Sequence, residues 1–165
     1  LKKQYADARY AVRQAILGIE LEIGNNILDG FPETINSLPA VKDEDQVAST
    51  GIGFVGLIIE RTYRKGNKQF KVTVGNETAL MAGVNMYMAS GAYANTQEEG
   101  VKNVKLGDQR GVIEFDESTG YKLTVPFGQS SVMITEGINF ESEDEMMSAT
   151  EEIDLDHIKK ELGEE

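Results

Sequence analysis

The chain contains no cysteine. Thiol catalysis, zinc–thiolate centres and disulfide cross-links are therefore all excluded. It contains one histidine, His157, so no site can use two imidazoles. Long apolar runs are also missing. The longest, Ile52–Ile59, falls far short of the roughly 20 residues that a membrane-spanning helix needs. Basic residues are few, 16 against 28 acidic ones, for a formal charge of −12. Phosphate backbones and anionic lipid heads are held by clustered Lys and Arg. We therefore expect no nucleic-acid partner.

Recognisable catalytic spacings are absent as well. No G-x-S-x-G elbow occurs, and Ser130-Ser131 after Gly128 reads as a turn. No EF-hand loop occurs, since no D-x-D-x-D-G run is followed by glutamate at position twelve. Asp43, Glu44 and Asp45 offer either a weak cation site or a solvated loop. Asp154, Asp156 and His157 offer mixed ligands, but Asp154 and Asp156 lie on different helix faces and Asp154 is equally an N-cap. Asn76-Glu77-Thr78 is a formal glycosylation sequon, meaningful only in a eukaryotic secretory setting. We expect no cofactor and no catalytic residue.

What is present is a globular composition over 165 residues, enough for one domain burying about 70% of its unfolded surface. The charge is uneven: residues 141–165 hold eleven acids and two bases. Tyr5, Ala8, Val12, Ile16, Ile19, Ile23 and Ile27 recur at spacings of three and four and predict an amphipathic helix over 1–30. Gly30 and Pro32 stop it. The stripe suits either a coiled-coil seam or the chain's own sheet, and we expect the sheet. Residues 31–51 read as a polar connection.

Residues 52–140 predict a sheet. IGFVGLIIERTYRKG and KQFKVTVG flank Lys65-Gly66-Asn67 as a hairpin. VKNVKLG, RGVIEFD, YKLTVPFG and SVMITEG follow, joined too tightly for parallel crossovers and therefore antiparallel. A helix is predicted over 77–90, between Asn76 and Gly91. Ser142 and Glu145 form a capping box that opens an acidic helical segment over 141–165, with Ile158 and Leu162 extending helix to Gly163. The expected fold is a single α+β domain: an antiparallel sheet of about six strands, with N-terminal, middle and C-terminal helices packed on it.

Gly51–Gly56, GIGFVG, matches the G-x-G-x-x-G dinucleotide fingerprint. That fingerprint works between a buried strand and a helix whose N-terminus faces the pyrophosphate. Here KDEDQVAST precedes it and LIIERTYRKG follows, so the glycines read as a loop entering a strand or an edge approached by another chain. Met81, Met86 and Met88 share the predicted middle helix with Tyr87, and Tyr93 follows. Met and Tyr make adaptable apolar surfaces, although core filling also accounts for them. Met86 should point away from Met81 and Met88. Gly51, Gly53, Phe54, Gly56, Met86 and Tyr93 are thus the candidate partner surface.

Phe31-Pro32-Glu33-Thr34, Gly51 to Gly56, Gly107 with Arg110-Gly111, Val132 to Gly137 and Ile153-Asp154-Leu155 together resemble a group of bacterial exported domains of unknown function, periplasmic or lipoprotein-attached. The resemblance implies an α+β fold and a cell-envelope location, with no activity or catalytic residue to carry over. The chain opens at Leu1, and any signal peptide or lipid-anchor cysteine is expected to lie outside it. The expected role is a non-enzymatic interaction domain of an envelope protein, its partner another envelope protein. The alternative is a small-ligand or divalent-cation-binding domain, including an enzyme working through carboxylates. That alternative predicts a pocket holding two or more acids, one with its pKa raised by burial.

Overall fold

A computed structural model of the chain describes residues 2–49, 56–76 and 100–164. Helix α1 runs from Lys2 to Gly30. A two-stranded ribbon follows, β1 (Thr34–Ile35) and β2 (Leu38–Pro39), then a 3-10 turn at Lys42–Glu44. The main sheet comprises β3 (Gln46–Ala48), β4 (Ile58–Lys65), β5 (Lys68–Gly75), β6 (Val101–Leu106), β7 (Gln109–Asp116), β8 (Gly120–Phe127) and β9 (Ser131–Ile138). Two helices close the chain, α2 (Glu143–Glu151) and α3 (Leu155–Leu162). The fold is α+β.

All pairings in the seven-stranded sheet are antiparallel, in the order β3-β4-β5-β9-β8-β7-β6. Six of these strands are the ones the sequence alternation predicts. The seventh, β3, and the ribbon come from residues 31–51, which the sequence presents as a plain connection. Strands of two and three residues are too short to show a period of two. The ribbon turns through Asn36 and Ser37, with φ of 48° and 64°. Both central residues thus adopt the left-handed conformation of a tight hairpin turn. The predicted middle helix at 77–90 lies outside the described residues.

One face of the sheet carries Ile59, Tyr63, Phe70, Val72, Val74, Ile113, Leu123, Val125 and Met133 into the core. Ile27 and Leu28 of α1, Ile35 and Leu38 of the ribbon, Met146 and Ala149 of α2, and Leu155 and Ile158 of α3 belong to the same cluster. At about 25 cal/mol per Å² of apolar surface, this burial is the main term holding the body together. Between β9 and α2, Thr135 and Thr150 meet at 3.0 Å between their hydroxyls, and Thr150 also donates to the Met146 carbonyl at 3.0 Å. Both hydroxyls are therefore satisfied inside the core.

The α2 N-terminus departs from the expected capping box by one residue. Ser142 accepts from the Glu145 amide at 3.1 Å as expected, but the Glu145 carboxylate takes the Glu141 amide at 2.8 Å. It also accepts from Asn36 at 2.8 Å and pairs with Lys68, tying the ribbon and the β4–β5 turn to α2. Among the described residues, no helix is long and apolar enough to cross a membrane.

Candidate interaction surfaces

Only the last third of α1 packs on the body. Glu20, Gly24, Ile27 and Leu28 are buried, whereas residues 4–15 are all exposed. The expectation that the whole stripe lies on the sheet therefore holds for the helix end alone. Gly24 accounts for the close docking: a Cβ there would collide with Val47 of β3 and lie 3.5 Å from Ile59 of β4. The helix weakness that a glycine introduces is exchanged here for contact with the sheet edge.

The root of α1 is clamped by Arg61. Its guanidinium forks onto Asp45, Nε to Oδ1 at 2.9 Å and Nη2 to Oδ2 at 2.6 Å. Nη1 also donates to the carbonyls of Leu28 at 2.9 Å and Phe31 at 3.4 Å, and the group stands 5.8 Å from the centroid of the Phe31 ring. A cation at a helix C-terminus satisfies carbonyls that have no partner within the helix and complements the dipole. Donating to the Asp45 carboxylate raises the Arg61 pKa further, so the clamp stays charged. Beside it the Tyr63 hydroxyl donates to the Pro32 carbonyl at 2.9 Å, and burial pushes its pKa up to about 12.

Beyond this root the helix stands clear of the body. Tyr5, Tyr10, Val12 and Ile19 are 66, 67, 58 and 61% exposed. Tyr5, Ala8 and Val12 form a shallow apolar face with Arg9 and Arg13 along it. At 100° per residue, the Tyr5–Val12–Ile19 line lies roughly 100° around the helix from the face that Glu20, Gly24, Ile27 and Leu28 press onto the sheet. The exposed line continues into the docked end: Ile23, in phase with Tyr5, packs partly buried against the core and Ile27 lies within it, so the stripe is uncovered where α1 runs on past the described body.

A second surface is a groove of about 790 Å³ between the β6–β7 turn and the α2–α3 junction. Leu106, Ile153 and Leu155 contribute its apolar part, and Asp108, Glu151, Glu152, Asp154 and Asp156 its acidic part. Lys159 enters this rim, 3.4 Å from Asp108 and 3.5 Å from Asp156. The groove gathers several acids. Every described carboxylate whose titration the fold shifts is held low: Glu44, Asp108, Asp116, Glu145 and Glu164. Among the described residues, no group of three His, Asp or Glu side chains is placed to hold a metal ion.

Several of the acidic residues read from the sequence have structural partners. Asp45 holds Arg61, and Glu44 forks onto Arg64 with both bonds at 2.8 Å. Asp154 caps α3 by accepting the His157 amide at 2.9 Å, and Asp156 points to solvent. The His157 ring packs against Gly30, its Nε2 3.2 Å from the Asn26 carbonyl. Of the candidate partner surface, Gly51, Gly53, Phe54, Met86 and Tyr93 lie outside the described residues. Gly56 is buried, with φ of 103°, so it shapes the entry to β4 and presents no outer surface. The exposed end of α1 was not on that candidate surface, although its stripe is plain in the sequence.

Compared with family models, curated proteins and solved structures, the chain matches none.

Proposed function

We propose that this chain is a non-enzymatic interaction domain whose binding element is the free end of α1. The observation that carries the reading is the Tyr5–Val12–Ile19 line, apolar, at helical spacing and exposed, on a helix whose root is clamped by Arg61. Exposed apolar stripes of this kind dock into grooves or onto other helices. The same proposal places the chain in the bacterial cell envelope, with an envelope protein as its partner.

The reading is tested by stability, without knowing the partner. Val12→Gln and Ile19→Gln together should shift unfolding by no more than about 0.5 kcal/mol, because neither side chain supports the body. A loss of about 2 kcal/mol or more would mean that the stripe is core, and the proposal would fail.

A further inference from the structure

We infer that the partner of the α1 stripe is the acidic groove of a second copy of this chain. This rests on the reading of α1 as the binding element and adds the identity of what it binds. The molecule is strongly dipolar. Residues 1–19 carry four bases and one acid, whereas the remainder carries 12 bases and 27 acids, a net −15. Arg9 and Arg13 run beside the exposed Tyr5–Ala8–Val12 face. The groove presents the opposite charge: Asp108, Glu151, Glu152, Asp154 and Asp156 rim it, with Lys159 against Asp108 and Asp156, over Leu106, Ile153 and Leu155, which are themselves buried in the core. The basic flank of the exposed stripe meets an acidic rim, and opposite potentials of this kind steer and orient association.

Pairing the stripe with itself is disfavoured. It would set Arg9 and Arg13 beside the same basic flank of the other copy, and would bring the two acidic bodies toward each other. The exposed length also supplies only about two heptads, short of the three to four that sustain a coiled coil. Within one chain the stripe does not occupy the groove, because Tyr5 and Val12 are exposed. The contact is therefore heterologous, stripe to groove, and each added copy leaves one free stripe and one free groove. Such contacts produce open chains unless the rotation between copies closes a ring.

The test is light-scattering mass against concentration at low salt, starting from the 18.1 kDa monomer. The mass should climb through dimer to larger species. Raising the salt to about 0.5 M should weaken association about tenfold or more, as the Debye length falls well below 10 Å. Two variants should each abolish the climb while keeping the wild-type unfolding midpoint: Arg9→Glu with Arg13→Glu on the stripe, and Glu151→Lys with Asp156→Lys on the groove. Mixed together, the two variants should associate, because the unchanged basic stripe of one meets the unchanged acidic groove of the other and the reversed stripe meets the reversed groove. The chain carrying all four changes should associate again. A dimer that ignores the groove changes would overturn the inference in favour of self-pairing stripes. Chains that stay monomeric at all concentrations would also overturn it, as would chains that instead sediment with anionic phosphatidylserine vesicles. Either result would leave the free stripe standing, because that reading is judged by the Val12 and Ile19 unfolding measurement.

Discussion

Removing Arg61 should loosen the whole of α1 from its body. Its side chain is 6% exposed and that of Asp45 17%, so the ion pair is largely withdrawn from water. Arg61→Ala leaves the Asp45 carboxylate without its forked partner and takes a charged donor from the Leu28 and Phe31 carbonyls. Breaking a buried pair from one side costs about 3–5 kcal/mol, because the surviving charge stays buried. For a chain of this length each kcal/mol moves the thermal midpoint by about 2–4 °C, so the expected loss is roughly 6–20 °C.

A companion variant separates the charge from the fit. Arg61→Met with Asp45→Leu removes both charges and keeps apolar volume, which often restores most of the stability lost by the single change. What should remain is about 1–3 kcal/mol for the helix-end carbonyls left without a donor. Hydrogen exchange should then locate the residual loss in residues 20–30 rather than in the sheet. If Arg61→Ala costs less than about 1 kcal/mol, the pair behaves as an exposed one and the clamp argument is wrong. A double variant no better than the single would likewise refute the account of the cost as an orphaned charge.

Gly120→Ala should destabilise by several kcal/mol, because φ is 88° and the new Cβ would strike the Gly137 carbonyl, whereas Gly107→Ala, at φ 60° with open space, should cost about 1 kcal/mol; equal effects in urea unfolding would remove the distinction. Met146→Ala empties a fully buried position beside Gly137 and should cost about 2–5 kcal/mol in the same assay, with a loss under 1 kcal/mol arguing against tight packing of α2 on β9. Glu145 and Glu164 are each pushed up by partial burial but held below 4.5 overall, Glu145 by Lys68, the Glu141 amide and Asn36, and Glu164 by Gln129, Ser131 and Ser130. A carboxylate with a lowered folded-state pKa stabilises above its unfolded value and loses that contribution as pH falls through the folded value. The stability gap between the parent and Glu145→Gln or Glu164→Gln should therefore be widest above pH 4.5 and close toward more acidic pH; a gap independent of pH would contradict the sign.

Most of the sheet is legible in the sequence because its strands are half buried. Helices cover the Ile113, Leu123 and Met133 face, and lysines or acids such as Lys122 and Glu136 occupy alternate positions, so the alternation is visible. Turn glycines at 66, 107, 120 and 128 mark the boundaries, and each has positive φ. The end of the last helix is equally plain, with Gly163 in the left-handed conformation at φ 69°. The order β5-β9 and the placement of β6 at the far edge are not legible, because local patterning fixes strands and tight turns but not which distant strands become neighbours. Arg61 was illegible too. Nothing in ERTYRKG marks one arginine as the buried one, since its role depends on carbonyls thirty residues away.

The N-terminal stripe shows a different limit. Hydrophobic period identifies a face that avoids water, but it does not say which surface removes it from water. For Ile27 and Leu28 that surface is the chain's own sheet. For Tyr5, Val12 and Ile19 the described body provides none, although Ile23 on the same line is packed against the core. A helix covered only by its own body has no need to continue its apolar stripe over turns that reach beyond it. A stripe that goes on through Ile19, Val12 and Tyr5, with Gly24 and Arg61 fixing the root between sheet and ribbon, fits a helix that serves two surfaces: its own sheet at the C-terminal end and a separate binding surface at the other. The Val12 and Ile19 substitutions bear directly on that division. If they destabilise the isolated chain as core residues do, α1 has one role, in folding; if they leave it unchanged, the outer part of the stripe is free for binding.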